Sequence, residues 1–253
     1  MRIMYATPAA AGMVHLEYHQ SVLFETLLHP ERIKEHEKYQ ITPQHLKGYS
    51  GLGKDRSIMA STALRLGMDK LVFIDADQAW KWHDFKALVD SDKEIISAVI
   101  PIKQYPLQLN FTPTVEDSDL FKGPWGTAVT VEGLIKMKQK HQKSEVPVQL
   151  IGTGMVCIDM KVFRKLAETC PSFKYHDHKG NTTQNWDFFQ SGVVNGRYYG
   201  EDGAFCLQAN RAGFIPHIHL DVLIPHVGSH LYIIGNQLTS IEMKDPLTFD
   251  GDV

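Results

Sequence analysis

Two carboxylates at the end of an apolar run are the first feature of this sequence that could do chemistry. Asp75 and Asp77 follow residues 71–74, whose β-branched and aromatic side chains are typical of a strand buried on both faces. Side chains on a strand alternate, so an extended backbone would place Asp75 and Asp77 on the same side. Two close carboxylates need a cation, and their oxygens suit Mg²⁺ or Mn²⁺ shared with a substrate diphosphate. The alternative is that these residues only begin a surface turn.

Two later segments carry side chains that could act together with these carboxylates. Glu201 and Asp202 follow Gly200, where a loop enters a predicted helix. Either acid could be the general base for an acceptor hydroxyl, with Asp202 preferred, or both could simply complement the helix dipole. His226 follows a predicted apolar strand and precedes Gly228 by two positions, so it is a candidate third metal ligand or a structural histidine.

Other motifs favour metal or phosphate chemistry less well. Residues 48–55 approach the phosphate-loop pattern of NTPases, but Asp55 stands where a neutral hydroxyl is needed, and no buried strand precedes the motif. The pairs His176/His178 and His217/His219 lack cysteine partners at zinc spacing. We interpret both pairs as surface histidines or as histidines that alternate along a strand.

Alternating strand and helix patterns predict the framework that would position these groups. The expected strands cover residues 2–7, 71–74 and 94–100, and the expected helices cover residues 16–28, 55–66 and 82–89. This order indicates an α/β fold with a Rossmann-like, doubly wound, mostly parallel sheet flanked by helices. Ligands of such sheets bind at the carboxyl ends of strands, which is where Asp75 and Asp77 fall.

The second part of the chain has a less regular pattern. Prolines in residues 101–126 predict loops and short strands, and residues 150–158 predict one strand whose glycines allow close approach. Further expectations are helices at 160–168 and 202–212, one or two strands at 215–224, and a mobile polar and aromatic surface segment at 176–195. We expect a single domain over residues 1–253, with a nucleotide-binding half at 1–100 and an irregular acceptor-side and closing half at 101–253.

Composition restricts the class of protein. The chain has 253 residues, 43% hydrophobic and 22% charged, and a formal net charge of −3, which supplies no global attraction to nucleic acid. A local exception is the basic run of Lys136, Lys138, Lys140, His141 and Lys143, which is either a solvated face or a phosphate-binding strip. Three widely spaced cysteines and the lack of a run of roughly 18 apolar residues favour a cytoplasmic protein.

Taken in order over nearly the whole chain, these segments resemble the GT-A glycosyltransferases, in particular small, stand-alone, family-2-like members of bacteriophages. The resemblance implies transfer of a sugar from a nucleotide-sugar donor, with UDP as the expected nucleotide, to an acceptor hydroxyl. It implies Mn²⁺ or Mg²⁺ as the cofactor. Whether the reaction inverts or retains the anomeric centre stays open.

The resemblance also implies a role for each matching segment. The donor side comprises Thr7, Pro8, Lys54, Arg56, Asp75, Ala76, Asp77 and Gly228; the metal ligands are Asp75, Asp77 and His226; the acceptor side comprises Gly152, Thr153, Gly154 and Trp186; and the catalytic acids are Asp202 and Glu201. Some phage members modify DNA, which implies a hydroxymethylated pyrimidine as one possible acceptor. Trp186, Phe188 and Phe189 would then form a stacking surface for a base, or a lid over the donor.

Two other functions fit the same pattern. A non-catalytic nucleotide-sugar or carbohydrate-binding protein could use this scaffold, although intact carboxylates argue against it. A sugar nucleotidyltransferase also uses carboxylates and metal, but its first loop normally carries a basic residue, and residues 9–13 contain none.

Overall fold

The structure is a computed structural model in which residues 1–10, 12–48, 51–121, 129–176, 180–228 and 231–234 are described. Within these ranges the chain forms strands β1 (Arg2–Ala10), β2 (Gln40–Gly48), β3 (Lys70–Ile74), β4 (Ile95–Val99), β5 (Phe111–Pro113), β6 (Glu145–Ile151), β7 (Met155–Asp159), β8 (Ser172–His176), β9 (Thr182–Trp186), β10 (Gly192–Val194), β11 (Arg197–Tyr199), β12 (His217–Leu223), β13 (His226–Val227) and β14 (Leu231–Tyr232). The helices are α1 (Leu16–Gln20), α2 (Pro30–Lys34), α3 (Leu52–Arg65), α4 (Trp82–Asp90), α5 (Val131–His141), α6 (Met160–Leu166) and α7 (Glu201–Arg211). A π-helical segment (Ser21–Leu27) extends α1, and a 3₁₀ helix covers Val115–Phe121.

Eight strands form the central sheet, in the order β2-β1-β3-β7-β4-β12-β6-β5. Only β6 and β7 run against the other six, since β7 is antiparallel to β3 and β4, and β6 is antiparallel to β12 and β5. The predicted α/β fold with a mostly parallel sheet is therefore confirmed. The insertion of the reversed strand β7 between β3 and β4 makes the sheet mixed.

The centre of the sheet is buried on both faces. Leu71 and Phe73 of β3 belong to one apolar cluster, and Val72 and Ile74 belong to the other, with no side-chain exposure for any of the four. This alternation follows from the period of two along a strand, and it confirms the buried strand that precedes Asp75. The helices α3, α6 and α7 contribute to the first cluster, and α1 and α4 contribute to the second.

The first strand is longer than predicted. It continues through Pro8 to Ala10, where a loop was expected, because β2 pairs with β1 along its whole length. On the other side β3 pairs with Ile3–Ala6 only, so the missing N–H of Pro8 leaves no gap in that ladder. The strand β2 was not predicted, since it lies at the sheet edge and none of its seven side chains with described burial is buried.

Residues 150–158 form two strands instead of the single strand expected. The chain turns between β6 and β7 at residues 152–154, where the Gly152 N–H donates to the Asn110 carbonyl at 2.6 Å. A Cβ on Gly152 would lie 3.2 Å from the Asn110 Cβ, so a glycine suits this close approach.

The expectation of a surface segment at residues 176–195 holds for most of its described residues, but Asn185, Phe188 and Phe189 are buried. The strands β8 and β9 form a hairpin, and Phe188 and Phe189 are at most 1% exposed. Phe189 stacks on Phe205 with 4.7 Å between ring centroids, and its N–H donates to the Ser57 hydroxyl. These two rings are core residues and supply neither a stacking surface nor a lid.

No helix among the described residues is both long enough and apolar enough to cross a membrane.

Candidate active site

Five segments converge on one edge of the sheet. Residues 75–77 follow the carboxyl end of β3, residues 101–103 follow β4, and His226 follows β12. Since β7 runs in the opposite direction, its amino end brings Gly154 to the same edge, where the Gly154 carbonyl accepts from the Asp75 N–H at 2.8 Å. The amino end of α7 completes the group, as the rule for ligand sites in α/β sheets predicts.

Arg56 is the centre of the acidic cluster. Its guanidinium lies 2.7 Å from the Asp75 carboxylate, 2.9 Å from Glu201 and 3.6 Å from Asp202, and its side chain is only 1% exposed. Burial alone would lower the pKa of Arg56, but the three carboxylates more than offset this effect and hold the group charged. The sequence predicted Arg56 on the donor side, and the structure shows that it joins α3, the end of β3 and α7.

Asp75 and Asp77 have opposite electrostatic environments. Burial raises the pKa of Asp75 to about 6, against the attraction of Arg56. Burial acts in the same direction on Asp77, but hydrogen bonds from His226 and Lys103 outweigh it and hold the pKa of Asp77 well below its usual range. Asp77 is therefore the carboxylate that stays ionised and available to a cation.

His226 presents one ring nitrogen to Asp77. Its Nδ1 lies 2.8 Å from the Pro101 carbonyl, which can only accept, so Nδ1 carries a proton and donates. The other nitrogen, Nε2, lies 3.3 Å from the Asp77 carboxylate. A metal-binding histidine usually donates the N–H of its other ring nitrogen to a carbonyl or a carboxylate in this way. The Val227 N–H also donates to the Asp77 carbonyl, which fixes this segment against residues 75–77.

Lys103 is a cation that the sequence prediction missed. Its Nζ lies 2.6 Å from the Asp77 carboxylate. Gly228 leaves the space for its stem, because a Cβ at Gly228 would be 3.1 Å from the Lys103 Cδ. The strand-end rule that singled out Asp75 and Asp77 could have found Lys103, which follows β4 at the same edge.

The donor set fits a divalent cation in its chemistry. Asp75, Asp77, Glu201 and Asp202 face two permanent cations, Arg56 and Lys103, so the cluster has two negative charges in excess when ionised. Asp77 and His226 offer an oxygen and a nitrogen that Mn²⁺ accepts. No group of three such side chains is arranged to hold a metal ion within the described residues. A two-residue site completed by substrate phosphates is common for these ions.

Asp202 has a defined orientation. The Thr153 hydroxyl, which has no solvent exposure, donates to one of its carboxylate oxygens. The Asp202 side chain is 35% exposed and that of Glu201 is 24% exposed, with Glu201 bound directly to Arg56. Asp202 is thus the more accessible of the two acids, and Thr153 links it to the turn before β7.

An open cleft of about 410 Å³ adjoins the carboxylates. Its walls are formed by Pro8, Met13, Val14, His15, Leu52, Asp75, Ala76 and Asp77. The His15 N–H donates to the Ala76 carbonyl at 2.9 Å, which joins the segment before α1 to the residues that follow β3. The predicted donor residues Pro8, Ala76 and Asp77 therefore share one surface.

Some predicted site residues lie elsewhere. Thr7 is fully buried, and its hydroxyl lies 2.5 Å from the Tyr18 hydroxyl. Its side chain therefore helps to fix β1 against α1. The Lys54 ammonium lies over the Tyr175 ring, 5.5 Å from its centroid. The backbone N–H of Trp186 donates to the Ser61 hydroxyl, and the Trp186 ring stacks on Phe188. Trp186 does not line the cleft.

The motifs that we set aside have structural roles where they are described. Gly53, in the segment that resembles a phosphate loop, lies so close to Phe189 that a Cβ would be 2.4 Å from its carbonyl oxygen. His217 and His219 alternate along β12, as expected. Residues 49–50 and His178 lie outside the described residues.

The basic run on α5 has acidic partners. Lys136 pairs with Glu132, Lys138 pairs with Asp221, and Lys140 and His141 both pair with Asp117. Four of its five basic side chains thus contact acidic partners within the protein. This part of the surface presents less free positive charge than the sequence suggested.

Comparison with known proteins adds information about the fold. No protein-family model matches the sequence, and no curated protein matches it. A crystal structure of GalNAc-T7 with UDP, GalNAc and Mn²⁺ is similar, with a TM-score of 0.51 and 12% identity over 99% of this chain and 46% of that chain. A197 from STIV is also similar, with a TM-score of 0.49 and 13% identity over 96% and 98% of the two chains.

The chain has the GT-A fold. The eight-stranded mixed sheet with its flanking helices agrees with this architecture. In this GT-A fold the described acidic groups, the cleft and His226 all lie at the edge where the carboxyl ends of β1, β3, β4 and β12 meet.

Proposed function

We propose that this protein is a metal-dependent glycosyltransferase that moves a sugar from a UDP-sugar to an acceptor hydroxyl. The observation that carries the proposal is the joining of Asp75, Glu201 and Asp202 through the buried Arg56, beside Asp77, His226 and the 410 Å³ cleft. A fold neighbour, GalNAc-T7, has UDP, GalNAc and Mn²⁺ in its crystal structure, which supports this class of donor and metal.

The donor would lie in the cleft between Pro8 and residues 75–77. Pro8, Val14 and Leu52 supply apolar walls for a nucleoside, and Asp75 and Asp77 line the same cleft. Thr7 would contribute only by fixing the position of β1. The Lys54 ammonium would have to leave the Tyr175 ring to reach the nucleotide. In this assignment residues 1–100 form the nucleotide-binding half of one domain, and residues 101–253 supply the acceptor side and the closing elements, among them His226 and Gly228.

Asp77 and His226 would hold Mn²⁺ or Mg²⁺, and Asp75 would stay paired with Arg56 next to them. The cation supplies neutralisation of the charge that grows on the departing diphosphate. Gly228 lies two residues after His226 and has no Cβ, which leaves space for the Lys103 side chain to reach Asp77.

Asp202 is the proposed base. Its carboxylate is exposed enough to meet an acceptor hydroxyl and is oriented by Thr153 and Arg56, so that it can take the hydroxyl proton as the new glycosidic bond forms. Glu201, bound closely to Arg56, is the second candidate. Gly152 and Gly154 would place the backbone of the turn before β7 next to the acceptor.

A hydroxymethylated pyrimidine in DNA is the acceptor that the sequence suggested. No described feature favours it, since Phe188 and Phe189 are core residues and most of the basic run is ion-paired. We therefore leave DNA out of the proposal. The three cysteines are free thiols, which supports a reducing compartment such as the cytoplasm.

A screen of nucleotide sugars with Mn²⁺ tests the proposal. We expect one UDP-sugar to raise the melting temperature and to be hydrolysed slowly to UDP and free sugar, and EDTA to abolish the hydrolysis. Donor binding with no hydrolysis and no transfer would indicate a binding protein instead. Release of pyrophosphate from UTP and a sugar phosphate would indicate a nucleotidyltransferase.

A further inference from the structure

Lys103 lies where a divalent cation on Asp77 would be expected. Its Nζ is 2.6 Å from the same Asp77 oxygen, Oδ2, that lies 3.3 Å from the His226 Nε2. An ammonium and a metal ion on this oxygen would repel each other, because two like charges would lie within a few ångströms. A cation that binds Oδ2 of Asp77 together with His226 therefore competes with Lys103.

The backbone around Lys103 is held in place. The Ile102 N–H donates to the Gln108 carbonyl at 2.7 Å, the Gln104 N–H donates to the Ile102 carbonyl, and the Pro101 carbonyl accepts from His226. The flexible four-carbon stem of Lys103 is the part that can move most readily. The absence of a Cβ at Gly228 leaves room for this stem, and the Lys103 side chain is 34% exposed, so it has space to turn outward.

We propose that Lys103 is a built-in cation that occupies Asp77 in the metal-free protein, gives way to the divalent metal, and then pairs with the donor diphosphate. The proposal rests on the proposed function, since it assigns Lys103 a ligand of that same site. The ammonium of lysine is a compact point charge with three donors and is a common phosphate ligand, and its stem remains anchored beside Asp77 after displacement. One side chain would thus oppose metal binding in the absence of donor and favour donor binding in the presence of metal.

The variant Lys103→Met tests both effects, because it keeps the length of the stem and removes the charge. Free Mn²⁺, measured by electron paramagnetic resonance with no nucleotide present, should show about fivefold tighter binding, the scale of a partly exposed ion pair. UDP affinity, measured by calorimetry at saturating Mn²⁺, should weaken by about fivefold. Lys93→Met is the matched control, since Lys93 pairs with Asp92 and Glu145 away from the cleft, and both affinities should be unchanged.

Opposite shifts of the two affinities support the proposal, because a loss of local structure would weaken both. Unchanged affinities, a fall in both, or no Mn²⁺ binding by either protein would overturn it. If the wild-type protein binds UDP with Mn²⁺ and Lys103→Met behaves identically, the role of Lys103 is refuted but the proposed function is not. A wild-type protein that binds no uridine nucleotide at all refutes the proposed function.

Discussion

At the scale of single residues, Asp75 and Asp77 belong to one motif but have different partners and opposite pKa shifts. Both follow β3, yet Asp75 faces Arg56 and Asp77 faces Lys103 and His226. Burial raises the pKa of one, and hydrogen bonds lower that of the other. Pairs of acids whose environments separate their pKa values are typical of active sites, where each acid takes a different role. Here the division leaves Asp77 as the anion for a metal.

The variant Asp77→Ala is expected to lose at least 10²-fold in turnover, since a metal contributes several kcal/mol to the transition state. The fold should survive, because Lys103 and His226 are both partly exposed and can be solvated when their partner is gone. Steady-state sugar transfer with an Mn²⁺ titration, alongside thermal unfolding, measures both effects. Asp92→Ala, at a carboxylate that is 81% exposed, is the control. Undiminished turnover in Asp77→Ala, or in EDTA, would disprove metal dependence.

The choice between the two acids of α7 is also a question of single residues. We expect Asp202→Asn to keep donor affinity and to lower turnover by roughly 10²-fold or more, the usual contribution of a general base. Glu201→Gln should have a smaller effect on turnover, because Glu201 acts through its contact with Arg56. A crippled Glu201→Gln with an active Asp202→Asn would move the base by one residue. Full activity in both would favour a retaining mechanism without a protein base.

The sequence allowed us to predict which residues lie at this edge of the sheet, but not which of them contact each other. Strand ends after apolar runs located Asp75, Asp77 and His226, because the carboxyl ends of parallel strands meet at one edge. The pairing of Arg56 with Asp75, Glu201 and Asp202 joins positions that are 19 to 146 apart in sequence, and no local pattern reports on it. The strand-end rule could have pointed to Lys103, which follows β4 at the same edge, but its contact with Asp77 joins positions that are 26 apart in sequence.

At the scale of elements, Arg56 joins three parts of the fold. It lies on α3 and binds carboxylates at the end of β3 and at the start of α7, all from a side chain that is 1% exposed. Phe189 strengthens the same junction, since it packs on Phe205 of α7 and contacts Gly53 of α3. The glycine that suggested a phosphate loop thus has a packing function, which a sequence pattern cannot distinguish from phosphate binding.

Removal of the Arg56 charge should destabilise this junction. In Arg56→Met three carboxylates lose their common partner, and breaking a buried ion pair on one side typically costs about 3 to 5 kcal/mol. Because these carboxylates are partly exposed, we expect a decrease near the lower end, about 3 kcal/mol, in the free energy of unfolding in urea. Lys54→Met, on the exposed side of the same helix, should change it by less than about 0.5 kcal/mol. Equal stability of the two variants would show that Arg56 does not join α3 to α7.

At the scale of the whole molecule, most strands and helices of the first 100 residues were predictable, with β2 and α2 as exceptions, and the connections after them were not. Buried strands and amphipathic helices leave periodic patterns, and these located β3, β4, α3 and α4. The reversed direction of β7 could not be predicted in this way, because a strand carries the same pattern in either direction. The burial of Phe188 and Phe189 was missed because they directly follow the polar, largely exposed strands of the β8–β9 hairpin.

The charge of the whole molecule leads to the last prediction, which concerns DNA. The chain has a formal net charge of −3, and its basic run is largely neutralised by Glu132, Asp221 and Asp117. Affinity for duplex DNA comes mainly from cations that release counterions from phosphates, with log K falling by about 0.9 per phosphate as log salt rises. We therefore expect fluorescence anisotropy to show no salt-dependent binding to duplexes with or without hydroxymethylcytosine. Labelled sugar should likewise not be transferred to either duplex at low or high salt. Transfer to the hydroxymethylated duplex alone, with a steep salt slope that Lys138→Gln and Lys140→Gln reduce, would show that these ion pairs open to DNA and would restore the modified base as the acceptor.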